Sequence, residues 1–242
     1  MNKPDYISFK DWELIKEKYQ NNLEDILNKI DNGYPIQYLI GNVYFYNSII
    51  NVDKRVLIPR PETEYLVEKT IKLAKQIFNK KINIIDLGTG SGCIAISLKK
   101  ELNANLIAYD ISNDALDVAK ENAKLNNIKI KFYNKDITIP LKNNYDIIIS
   151  NPPYIGKNDF LAENVKKYEP NVALFASDNG IYFYKEIIKN NISKLNKNGF
   201  MAFEIGENQK NELEKYLKSI GITNYKFEKD MVGKNRYLFI FE

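Results

Sequence analysis

Four short stretches carry residue types able to do chemistry. The first is Asp86-Leu87-Gly88-Thr89-Gly90-Ser91-Gly92-Cys93-Ile94, directly after the apolar run Ile82 to Leu87. Glycines at alternate positions let a backbone turn sharply and approach a ligand at the carboxyl edge of a parallel sheet. Glycines so spaced also suit a bare strand-to-helix turn. A dinucleotide fingerprint would want its third glycine where Cys93 stands, so a nicotinamide or flavin cofactor is disfavoured. The second is Asp110, in Tyr109-Asp110-Ile111-Ser112 at the end of the next apolar run. A carboxylate about 20 positions beyond a glycine loop can accept both hydroxyls of a ribose. A helix cap is the other use for such an Asp, but Ser112 is better placed to cap a helix from Asn113 onward. The third is Asp136, between the second and third apolar runs, an acceptor for an exocyclic amine such as that of adenine, although an Asp in a loop is more often simply solvated. The fourth is Ser150-Asn151-Pro152-Pro153-Tyr154, after the apolar run Tyr145 to Ile149. Two prolines remove two backbone donors and fix φ, leaving a stiff corner rich in acceptors. Asn151 offers a side-chain carbonyl, Pro152 a backbone one, and Tyr154 a flat face for a planar group. Such a corner suits a substrate NH2. Alone, Asn-Pro-Pro would read as a bare turn; with the glycine loop at a strand end of the same sheet, chance is a poor account.

These residues need strands to bring them to one edge. Continuous apolar runs at Ile82 to Leu87, Leu106 to Tyr109, Tyr145 to Ile149 and Phe200 to Ile205 are each followed by turn residues and a helical period, which predicts an α/β fold with a mostly parallel sheet. Tyr225 to Glu228 and Arg236 to Phe241, close in sequence with Gly233 and no helix between them, should pair antiparallel at an edge. Upstream, Thr63 is placed to cap a helix over Glu64 to Phe78. Two β-rich runs flanking Asn47-Ser48 read as a hairpin closed by Pro59 and Pro61. Before that, Phe9, Trp12, Ile15, Tyr19, Leu23, Ile26, Leu27 and Ile30 recur at helical spacing, predicting one amphipathic helix ended by Asn32-Gly33.

The 242 residues suffice for one α/β domain with a short appendage. One cysteine excludes an internal disulfide and a thiolate metal site, and no histidine is present to serve as metal ligand or neutral-pH base. No metal is expected. A net charge of +4 spread over mixed-charge helical faces argues against a nucleic-acid substrate. No apolar run is long enough to span a membrane, and the polar N-terminus does not read as a signal peptide, so a cytoplasmic protein is expected.

Asp-Leu-Gly-Thr-Gly-Ser-Gly with a downstream Asn-Pro-Pro-Tyr resembles the class I methyltransferases that act on planar nitrogens. Within them, Val56-Leu57-Ile58-Pro59-Arg60-Pro61-Glu62-Thr63-Glu64, Tyr168-Glu169-Pro170, Ala173-Leu174 and Glu204-Ile205-Gly206 with Gln209 are similar to the protein-(glutamine-N5) methyltransferases of peptide-chain release factors, the HemK/PrmC family. The resemblance runs from about Gly33 to the C-terminus. It implies a Rossmann-like fold, S-adenosylmethionine as cofactor and the glutamine of a release factor's Gly-Gly-Gln motif as methyl acceptor. It further implies that Gly88, Thr89, Gly90, Ser91 and Gly92 hold the methionine and ribose end of the cofactor, Asp110 its ribose, and Asp136 and Ile137 its adenine, with Asn151 and Pro59 to Glu62 on the border. Asn151, Pro152, Pro153 and Tyr154 hold the substrate, with Asn151, Pro152 and Tyr154 at the reaction itself. The expected organisation is a helical segment over 1–35, a hairpin linker over 36–60 and the methyltransferase domain over 61–242, acting as a monomer. The family's helical bundle before the hairpin is usually longer than here. Rival acceptors are a nucleic-acid amine or a ribosomal-protein glutamine; a noncatalytic cofactor-binding module is the reading from another class.

Overall fold

The computed structural model describes residues 3–242; Met1 and Asn2, at the head of the polar N-terminal stretch, lie outside the described residues. The chain begins with α1 (Phe9–Lys18), α2 (Leu23–Asp31) and α3 (Ile36–Ile40), then a hairpin of β1 (Asn42–Phe45) and β2 (Ser48–Asn51). It continues through α4 (Pro61–Ile77), β3 (Ile82–Leu87), α5 (Cys93–Glu101), β4 (Ala104–Asp110), α6 (Asn113–Leu125), β5 (Lys131–Asn134) and β6 (Tyr145–Ser150). The last elements are α7 (Glu163–Tyr168), α8 (Tyr182–Asn191), β7 (Leu195–Glu204), α9 (Lys210–Ser219), β8 (Tyr225–Lys229) and β9 (Asn235–Phe241).

Seven strands form one sheet in the order β5-β4-β3-β6-β7-β9-β8. Pairing is parallel from β5 to β7, and β9 runs antiparallel to both β7 and β8. The expected α/β class and antiparallel edge are therefore both present. Ile84, Ile85, Ile147, Ile148, Phe200 and Met201 are at most 0% exposed, which is why their strands read as unbroken apolar runs. The chain leaves β3 toward β4 on one side and reaches β6 on the other, so the β3–β6 boundary is a topological switch point, where open α/β sheets bind ligands at the carboxyl edge.

Three local expectations are corrected. The single N-terminal helix is two: Tyr19 and Asn22 leave helical geometry, and the bend lets Ile15, Ile26, Ile30 and Leu39 close a small core while Phe9 stays in solvent. Its hydrophobic period continued across the bend, hiding the break. Thr63 does not cap α4; the helix starts at Pro61, a favoured first-turn residue, and the Thr63 side chain is buried. The hairpin turn falls at Tyr46-Asn47, and the segment expected to open the hairpin linker at 36 begins instead with the short helix α3. No helix among the described residues is long and apolar enough to cross a membrane.

Candidate active site

The turn after β3 uses its glycines because Gly88, Gly90 and Gly92 have φ of +78°, +53° and +81°, the left-handed region closed to most side chains. A Cβ on Gly90 would meet nothing within 4 Å, for this residue faces an open cleft. A Cβ on Gly92 would lie 3.2 Å from that of Ala119, so this glycine seats the loop against α6 and stands apart from the cleft lining. Gly88 and Thr89 N–H groups donate to the Tyr109 carbonyl at 2.9 and 3.0 Å, tying the loop to the end of β4. Beneath it, Asp86 accepts from the Thr89 hydroxyl at 2.7 Å, and burial pushes its carboxyl up to about 7.

Asp110 accepts from Gly90 N at 2.8 Å through one oxygen and from Ser112 N at 2.9 Å through the other. Burial raises its pKa, opposed by these backbone donors. Ser112 caps α6, accepting from Ala115 N, which leaves Asp110 to brace the glycine loop and border the cleft. Asp136 folds back on Thr138, accepting from its N–H at 2.8 Å, and with Ile137 lines the same cleft. The cleft has a volume of about 310 Å³, with Val56, Pro59 and Arg60 arriving from the segment after the hairpin and Phe183 from α8. That segment is pinned by Glu169, a buried carboxylate that accepts from Ile58 N at 3.1 Å and pairs with the Arg60 guanidinium.

After β6, the Ser150 hydroxyl donates to the Leu87 carbonyl at 2.6 Å, locking the start of the Asn-Pro-Pro-Tyr corner to the end of β3. Asn151 donates from Nδ2 to Thr63 Oγ1 at 3.0 Å. Tyr154 is held at both ends: its carbonyl accepts from Gln209 Nε2 at 2.8 Å, and its hydroxyl donates to Glu204 at 3.4 Å. Burial moves the Tyr154 hydroxyl upward, away from ionising near neutral pH. The Pro152 carbonyl accepts no hydrogen bond from the described residues. On the far side of the corner lies a second cavity, of about 540 Å³, walled by Tyr34 and Pro35, by Leu161 and Val165, and by Pro152, Tyr154 and Glu204. Asn151 borders both cavities.

Of the expected cofactor-side residues, all but Gly92, Pro61 and Glu62 thus line one cleft; Pro61 and Glu62 fall in the first turn of α4, outside the cleft lining; Pro152 and Tyr154 line the other cavity, and Pro153 the cleft. Sequence reasoning missed the second cavity, the Phe183 wall and the contact of Thr63 with Asn151. The available signal was that Thr63 and Glu204 sit inside two of the stretches that carried the family resemblance.

A mostly parallel sheet with a glycine loop and an Asn-Pro-Pro-Tyr corner at its switch point defines a class I methyltransferase. Residues 63–173 match the methyltransferase small domain family. The fold is shared with a methyltransferase from Pyrococcus furiosus (TM-score 0.60, 21% identity, 92% of this chain and 98% of that one). It is shared too with the ribosomal protein L11 methylase of Lactobacillus delbrueckii subsp. bulgaricus (TM-score 0.54, 24% identity, 76% and 80%). Among curated proteins, the release factor glutamine methyltransferase of Flavobacterium psychrophilum is 41% identical over 222 residues, covering 89% of this chain and 78% of that protein. The enzyme of the same name from Streptococcus pneumoniae is 37% identical over 240 residues, covering 98% and 85%. The chain belongs to the release factor glutamine methyltransferase family.

Proposed function

We propose that this enzyme transfers a methyl group from S-adenosylmethionine to the side-chain amide nitrogen of the glutamine in the Gly-Gly-Gln motif of peptide-chain release factors. The observation that carries the reading is Asn151 as a wall common to two cavities, one suited to a nucleoside cofactor and the other open to an incoming side chain. The cleft fits the cofactor: Gly90 leaves space that any Cβ would fill, Asp110 supplies a carboxylate to a diol, and Ile111, Ile137 and Phe183 offer apolar walls beside Asp136. The organisation that goes with this reading is a helical segment over 1–35, a linker over 36–60 that carries α3 and the hairpin, and a catalytic domain over 61–242.

S-adenosylmethionine, when bound, supplies a methyl group on a sulfonium. The chain's task is to present a poor nucleophile, since an amide nitrogen shares its lone pair with the carbonyl. Asn151 Oδ1 and the Pro152 carbonyl accept the two amide hydrogens, and the Tyr154 ring supports the plane of the amide. Positioning of this kind supplies several kcal/mol of the barrier. Positive charge grows on nitrogen as the bond forms, so the same acceptors bind the transition state more tightly than the ground state. Once the N–C bond has formed and the methyl–sulfur bond has broken, the amide nitrogen carries one proton too many and is strongly acidic, so that proton passes to water and no strong base is required, which suits a chain without histidine.

Incubation with a release factor and S-adenosylmethionine, followed by mass spectrometry, is expected to show one added methyl on the Gly-Gly-Gln glutamine. Ribosomal proteins and DNA belong in the same experiment, and methylation of either in place of the release factor would refute the assignment. For the cofactor cleft, Asp110→Ala is expected to weaken S-adenosylhomocysteine binding by about 1.5–3 kcal/mol through loss of a charged acceptor. Unchanged affinity by calorimetry would remove Asp110 from the ribose site.

A further inference from the structure

Glu204 and Thr63 form a hydrogen-bonded chain that ends on Asn151. Glu204 closes β7 and is 1% exposed, and its backbone carbonyl accepts from the Tyr184 hydroxyl at 2.8 Å. One carboxylate oxygen lies 2.6 Å from Thr63 Oγ1, a separation typical of a hydroxyl donating to a charged oxygen. The other faces the Tyr154 hydroxyl at 3.4 Å. Thr63 has a single hydroxyl hydrogen. Once this is given to Glu204, Oγ1 can only accept, and Asn151 must turn Nδ2 toward it, as observed at 3.0 Å. Asn151 Oδ1 is then the atom left for the acceptor cavity.

We propose that Glu204 and Thr63 are positioning residues for methyl transfer, the carboxylate fixing through the Thr63 hydroxyl which end of the Asn151 amide meets the substrate. This rests on the reading of Asn151 as the acceptor for the substrate amide. Protonation of Glu204 reverses the chain: the carboxylic acid donates to Thr63, Thr63 donates to Asn151 Oδ1, and Nδ2 swings toward a substrate NH2 that it cannot bind. Burial pushes the Glu204 carboxyl up to about 7, with the Thr63 hydroxyl and Arg236 opposing and Glu62 adding to the rise. Tyr154, Tyr184, Tyr237 and Cys93 also surround it, all shifted upward and away from neutral pH, while Arg236 keeps its charge.

The test begins with the wild-type protein, without cofactor. Asn151 side-chain amide resonances, assigned by their loss in Asn151→Ala, should move between pH 5.5 and 8.5 with a midpoint near that of Glu204, and the movement should vanish in Glu204→Gln. In single-turnover assays, Thr63→Val should slow transfer about tenfold at saturating cofactor and substrate, the scale on which an orienting partner acts. Thr63 also borders the cofactor cleft, so the rates are compared at saturating cofactor, and Thr63→Ser should restore most of the rate. Amide resonances that are flat with pH overturn the proposal even if Thr63→Val fails to fold. Thr63→Val at the wild-type rate beside a slow Asn151→Ala overturns it while sparing the acceptor corner; a fast Asn151→Ala removes the corner itself.

Discussion

Asn151→Ala is expected to lower the single-turnover rate of methyl transfer at least about a hundredfold, the cost of losing one preorganised electrostatic contact. Folding and cofactor affinity should be nearly unchanged. Asn151 is only partly buried and its side chain makes one hydrogen bond, to Thr63, so truncation removes little from the folded state. On the proposed mechanism the loss falls on the transition state, where an acceptor for growing positive charge is gone. Asn151→Asp separates shape from polarity: it keeps an acceptor of the same size but cannot donate to Thr63, which already gives its hydrogen to Glu204. It should therefore retain part of the activity that alanine loses. Single-turnover rates with saturating cofactor are the proper comparison, because steady-state values can be set by product release. A folded Asn151→Ala enzyme that turns over at the wild-type rate would reduce Asn-Pro-Pro-Tyr to a stiff turn.

The strands that end at the site were legible because each is buried on both faces and so shows an unbroken apolar run; β3 falls on Ile82 to Leu87 as expected. β5 showed no such run, for it lies at the sheet edge with Lys131, Tyr133 and Asn134 exposed. Gly88 to Gly92 and Asn151 to Tyr154 were legible as tight turns at strand ends because each motif is continuous in sequence and its backbone needs are local. The Glu204–Thr63–Asn151 chain was not, since it joins residues 141 and 88 positions apart. Those contacts exist only because the sheet order sets β6 beside β7 and brings α4 across their ends, a tertiary fact that no local pattern encodes. The second cavity escaped for the same reason: one wall comes from Tyr34 and Pro35, the other from residues beyond 150.

Gly180→Ala is expected to destabilise the protein by about 3–5 kcal/mol, among the largest effects of a single methyl group. Asp178, Asn179 and Gly180 are three successive residues at positive φ, of 55°, 52° and 85°, and this left-handed turn presses against the Asn-Pro-Pro-Tyr corner. A Cβ on Gly180 would stand 2.2 Å from the Tyr154 carbonyl oxygen and 2.5 Å from Gln209 Nε2, the two atoms whose hydrogen bond holds the corner in place. Neither can retreat cheaply, since one is backbone and the other belongs to a buried side chain that also accepts from Gly206 N. Gly221→Ala supplies the control, because Gly221 has φ +78° and a Cβ there meets nothing within 4 Å. It should cost only the left-handed backbone penalty of about 1–2 kcal/mol. The difference between the two variants in urea unfolding therefore isolates the clash from the φ strain. The folded fraction of Gly180→Ala should also transfer methyl groups more slowly, because Tyr154 and the Pro152 carbonyl shift with the corner. Equal unfolding midpoints for the two variants would mean that the Asp178–Gly180 turn moves aside freely and does not brace the site.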